Sequence, residues 1–148
     1  MTIKIFGLAD PNIDTSAPIN DAKLYHRYHA WHDATGTIVA ATRYFPGTES
    51  GTGSQLALWA AITEAIAIGN NTVTIDLKKS TAGGAFASVL SSTLVLNSSN
   101  TLYIPVAATF TTTTFAVGDL FKLTVAVAGS GTQATGLVIW TTRTEAPS

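Results

Sequence analysis

Apolar and polar residues alternate along most of this 148-residue chain. Val73, Ile75 and Leu77 alternate with Thr74, Asp76 and Lys78, and Phe121, Leu123, Val125 and Val127 form the cleanest such run. A period of two places one face on a core and the other toward solvent, the signature of a half-buried strand. Further strands are expected at Thr2–Phe6, Ala22–His32, Thr37–Phe45, Val89–Leu96, Leu102–Ala108, Phe110–Phe115 and Gly136–Thr144. Turn signals separate them: Asp33–Gly36, Gly69–Asn71, Gly83–Gly84, Asn97–Asn100, Gly118–Asp119 and Gly129–Gly131. Ser54–Gly69 is ambiguous, since its alanines and leucines suit a helix, whereas Leu56, Leu58, Ala60, Ile62, Ile66 and Ile68 also fit alternation. The neighbouring strands favour a strand there. Eight or nine short strands at this spacing predict an all-β, antiparallel β-sandwich.

The organisation that follows is an N-terminal arm, residues 1–20, and one sandwich domain, residues 21–148. The arm is broken by Pro11 and Pro18 yet carries Ile3, Ile5, Phe6, Leu8, Ile13 and Ile19. Such side chains are costly to leave in water, so the arm is expected either to bury them on a partner or to fold back on its own sandwich.

Charge changes the picture more than hydrophobicity does. Charged residues make up 11% of the chain, with a net charge of −1, against roughly 25% in ordinary soluble domains. No charge occurs from Ser80 to Gly118 or from Leu123 to Thr142. A surface built of threonine and alanine instead of charge is expected where protein meets protein, and Phe115 and Val117 are candidate contact residues. The near-neutral balance argues against a nucleic-acid partner, which calls for a basic patch. No run is long and apolar enough for a membrane helix, and the opening MTIKIFGLADPN lacks the apolar core of a secretory leader.

Candidate chemistry is sparse. The absence of cysteine excludes disulfides, thiolate zinc and cysteine nucleophiles. His26, His29 and His32 stand three apart. On a strand, His26 and His32 share a face but lie about 20 Å from each other, too far for one metal. Asp10, Asn12 and Asp14 begin like a calcium loop but lack its sixth-position glycine and twelfth-position glutamate. The nine carboxylates are scattered, and no nucleophile elbow or phosphate loop occurs. Asp76 and Asp119 fall at strand edges or turns, where they are expected to cap backbone N–H groups. The chain is therefore expected to be no enzyme and to hold no cofactor or metal. Trp31, Trp59 and Trp140, with four tyrosines, leave open a glycan-binding module that stacks sugars on exposed rings.

Asn70–Lys79, Ser88–Ser92, Ala116–Leu120 and Gly136–Leu137 together resemble the pattern of small tailed-phage capsid decoration (cement) and head-fibre proteins. The resemblance runs from about Thr72 to Thr144. It implies a jelly-roll-like sandwich and a virion structural protein on the capsid surface, bound to the major capsid protein as a homotrimer. A glycan-binding adhesion module is the alternative.

Overall fold

The computed structural model describes residues 26–47 and 52–146. Ten strands run in chain order: β1 (His26–Thr37), β2 (Ala41–Pro46), β3 (Thr52–Ala65), β4 (Thr72–Ser80), β5 (Ala87–Ser88), β6 (Leu94–Leu96), β7 (Val106–Ala107), β8 (Thr114–Ala116), β9 (Leu120–Ala128) and β10 (Thr135–Ala146). They form two five-stranded antiparallel sheets. One has the order β1-β10-β3-β7, with β8 also paired to β3; the other has β2-β9-β4-β5, with β6 also paired to β4. The pairing is nested: β1 with β10, β2 with β9, β3 with β7 and β8, β4 with β5 and β6. The chain is thus a long antiparallel hairpin rolled over itself into two sheets, the jelly-roll order of strands.

The core lies between the sheets. Val73, Ile75 and Leu77 of β4 are fully buried, while Thr74, Asp76 and Lys78 between them are half-buried on the outside. In register beside them, Phe121, Leu123 and Val125 of β9 point the same way. Leu58, Ala60 and Ile62 of β3, with Leu137 and Ile139 of β10, close the layer from the other sheet. β-branched and aromatic residues fit this pleated, half-buried setting, so local preference and packing agree.

Several expected boundaries move. Ser54–Gly69 is strand as far as Ala65, after which Ile66 is half-buried and Ile68 stands exposed. Asp33–Gly36 does not end its strand: β1 runs through it to Thr37, with a register shift between Ala34 and Thr37 and Gly36 at φ +70°. The Gly36 N–H donates to Glu64 Oε2 at 2.9 Å. Ile38, 1% exposed, then plugs the core and its N–H donates to Ala134 O at 3.1 Å. That anchor lets the chain change sheets, so the expected Thr37–Phe45 strand shrinks to β2. Leu102–Ala108 shrinks to the two residues of β7, beside Pro105, which has no N–H to offer a ladder. The expected strand Thr2–Phe6 lies outside the described residues.

Candidate functional site

At the end of the sandwich where β3 begins and β4 ends, a cleft of about 550 Å³ opens between the sheets. Hydroxyls of Thr52, Ser54, Thr81, Thr114 and Thr144 line it, with Phe115 and an ion pair. In that pair Lys79 Nζ lies 3.2 Å from Asp119 Oδ2. Lys79 also donates to Thr114 O at 3.0 Å.

Asp119 sits just past Gly118, whose φ of +86° makes the tight turn that aims the carboxylate back at the strand. There Asp119 Oδ2 accepts the Ala116 N–H at 3.0 Å, the backbone cap expected of it. Among the described residues, the Asp76 side chain meets other side chains and no backbone N–H: it accepts the Ser88 hydroxyl at 2.6 Å and lies 3.5 Å from Lys78 Nζ. Burial pushes the Asp119 carboxyl upward, but the Ala116 N–H, the Thr81 side chain and Lys79 outweigh it and hold the group below its ordinary range. A carboxylate stabilised as the anion is a poor proton acceptor, and Lys79 already has partners. The pair locks the end of β4 to the turn before β9.

Under the cleft lies Arg143, 5% exposed. It follows Leu137, Ile139 and Thr141 on the buried face of β10, and a register shift in the pairing with β3 sets Gln55 opposite it. Its Nη1 donates to the carbonyls of Pro46 and Gly47, the latter at 2.8 Å. The guanidinium lies 5.1 Å from the centroid of Phe45 and 5.6 Å from that of Phe115. Phe121 stacks on Phe45 and meets Phe115 edge to face, at 5.4 Å and 5.5 Å between centroids. Gln55 is equally buried, and its Oε1 finds no donor among the described residues. Arginine suits this place because it carries its charge, several donors and a flat face that rings can cover.

The two candidate contact residues near the cleft part company. Phe115, 3% exposed, belongs to the chain's own core, where its ring fills the space over Gly53, its partner in register. A side chain spent inside the sandwich is not a docking residue, and this corrects the expectation for Phe115. Val117, on the turn beyond β8, is 61% exposed and remains available. Ile3, Ile5, Phe6, Leu8 and Ile13 lie outside the described residues.

The first sheet carries a tryptophan pair. Trp59 of β3 and Trp140 of β10 are directly opposite in register, and their half-buried rings stack at 5.7 Å and 27°. Trp31 of β1 is the register partner of Trp140 on its other side. On the second sheet, Lys122 lies 5.8 Å from the ring centroid of Tyr44 and 5.6 Å from that of Phe86. β1 places His26, His29 and His32 opposite Glu145, Thr142 and Ile139. Among the described residues, no three His, Cys, Asp or Glu side chains come together as a metal site.

Sequence reasoning missed the Lys79–Asp119 lock and the buried Arg143. A faint signal existed, since Arg143 is the one cation of that strand and falls on the same side of its alternation as Leu137 and Ile139.

No protein-family model and no curated protein matches the chain. Among solved structures, a chain from Desmodium yellow mottle tymovirus is similar at 11% identity and a TM-score of 0.37, covering 92% of this chain and 95% of that one.

Proposed function

We propose that this chain is a non-catalytic virion structural protein of the decoration (cement) type. It sits on the capsid surface as a homotrimer, binds the major capsid protein and stiffens the shell, with no need of cofactor, metal, nucleic acid or membrane. The observation that carries the reading is the distribution of charge over the folded surface. From Ser80 to Gly118 most side chains are exposed or half-buried and none is charged. A free-standing surface is ordinarily kept soluble by interspersed charge, whereas a covered one gains by shedding it. The jelly-roll order supports the virion setting by analogy, since capsid domains use it, but so do lectins. In this reading Val117 and the apolar residues of the arm meet neighbouring protein.

Mass spectrometry of gradient-purified virus particles from the source culture tests it. The chain should be present at a fixed ratio to the major capsid protein, and particles stripped of it should melt at lower temperature. Its absence from particles, or stripping without effect on melting, overturns the proposal.

The second reading, a glycan-binding module, is favoured by one observation, the stacked Trp59–Trp140 pair with Trp31 in register.

A further inference from the structure

An open sheet edge is a row of unpaired N–H and C=O groups, and folded chains ordinarily blunt such edges. Three of the four edges here are blunted. One border of the first sheet is made by β7 and β8, two and three residues long. Side chains already serve the backbone of β8, where Lys79 donates to Thr114 O and Asp119 Oδ2 accepts the Ala116 N–H, both at 3.0 Å. On the second sheet, β5 and β6 are again two and three residues long, while β2 has six and ends in Pro46. β1 is the exception. It is a border strand of 12 residues, contains no proline and pairs only with β10 among the described residues.

The regular part of β1 has an internal symmetry. Its pairing with β10 runs without interruption from His26 to Ala34, nine residues centred on Ala30, before the register shift that precedes Thr37. Its two charged residues, Arg27 and Asp33, stand three positions to either side of that centre. When the strand is laid antiparallel on a copy of itself about Ala30, Arg27 of each falls opposite Asp33 of the other. Between these pairs Tyr28 falls opposite His32, His29 opposite Trp31, and the small Ala30 opposite itself. Opposite charges facing each other across an antiparallel pair stabilise it, and like charges there destabilise it. A register centred on Arg27 or on Asp33 would set like charges together, and one centred a residue away from Ala30 would leave both unmatched. Within the chain's own sheet neither faces a charge, since Arg27 stands opposite Thr144 and Asp33 opposite Val138.

We infer that β1 is the strand by which two copies of this chain join, edge to edge and antiparallel, on a twofold axis at Ala30. Charge complementarity names the occupant. The edge carries one cation and one anion, placed so that the same edge turned around matches both, which is the condition for an isologous contact. Pairing these residues would add roughly nine backbone hydrogen bonds and merge the first sheets of two copies into one. The inference goes beyond the proposed trimer. A twofold contact on β1 adds to a threefold contact elsewhere and would bind one trimer to the next over a shell. Only that last step rests on the proposed function.

Cross-linking of the full chain, which has no cysteine of its own, tests it. Ala30→Cys should form an interchain disulfide under mild oxidation, since opposed Cα atoms of an antiparallel pair lie about 4.5–5.5 Å apart, within disulfide reach. Ser98→Cys, on an exposed turn, is the control and should not. In sedimentation velocity over a micromolar series, Arg27→Asp and Asp33→Arg should each weaken association about tenfold. The double exchange, Arg27→Asp with Asp33→Arg, should restore it, and unfolding midpoints should confirm that every variant folds. Association that ignores the single exchanges, or that the double one does not restore, overturns the twofold register. If the chain associates but Ala30→Cys cross-links no better than Ser98→Cys, the edge contact is wrong and the proposed trimer stands. A chain that stays monomeric overturns both. A disulfide within one chain between Ile5→Cys and Ala30→Cys would assign the edge to the chain's own arm and set the inference aside.

Discussion

Lys79 Nζ and Asp119 Oδ2, 3.2 Å apart at the cleft, join the penultimate residue of β4 to the turn before β9. Asp119 is almost fully buried, and its carboxyl is held below the ordinary aspartate value. A depressed folded value means that ionised Asp119 favours the folded state. That contribution is complete above the ordinary value and is lost as pH falls through the depressed one. Asp119→Asn should therefore cost about 1–3 kcal/mol at neutral pH and flatten the acid limb of stability. Urea unfolding of both proteins across an acid pH series measures this. Parallel acid limbs would show that Asp119 carries no such role.

Phe115 and Val117, two residues apart, should respond oppositely to substitution. Phe115→Ala removes a buried ring that meets Phe121 and covers Gly53, and should cost about 3–5 kcal/mol. Gly53→Ala should cost about 1–3 kcal/mol by forcing a methyl group into the same ring. Val117→Asp should leave the unfolding midpoint unchanged and, in the proposed function, weaken attachment to capsids. Equal stability loss at both positions would place Val117 in the fold instead.

Arg143 should be resistant to conservative replacement. Its Nη1 serves two carbonyls at the start of the β2–β3 connection while rings cover the guanidinium faces. Arg143→Ala leaves the buried Gly47 carbonyl without this donor and should cost on the order of 3 kcal/mol. Arg143→Lys keeps the charge but loses the planar fork, and should recover only part of that loss. Full recovery in thermal unfolding would mean that charge alone matters.

The sheets were legible because β4 and β9 alternate with strict period two and face a common core. The sandwich's departures were not, because each depends on a partner far along the chain. Gly36 reads as a turn until Glu64 is brought to its N–H and Ala134 to that of Ile38, when it becomes a bend within β1. Phe115 reads as a contact residue because it lies in the long uncharged stretch from Ser80 to Gly118, yet Gly53, sixty-two positions earlier, leaves the hollow that its ring fills. Arg143 continues the buried side of β10 set by Leu137, Ile139 and Thr141, whereas Gln55 faces it only because the register shift between Ala57 and Gln55 reverses the alternation of β3. The Lys79–Asp119 pair spans forty positions, a separation at which no local pattern reports contact.

The Trp59–Trp140 pair allows the two functional readings to be separated in one protein. Rings stacked at 5.7 Å couple electronically, so the wild type should show an indole exciton couplet in circular dichroism, absent from Trp59→Ala and Trp140→Ala. Both rings are half-buried and stack on each other, which leaves less of each face for a sugar than a free platform would offer. Across a panel of neutral and acidic oligosaccharides, tryptophan fluorescence and the couplet should therefore stay unchanged. Saturable quenching by one glycan, lost in Trp140→Ala while the unfolding midpoint is retained, would transfer the function to glycan binding and set the capsid reading aside.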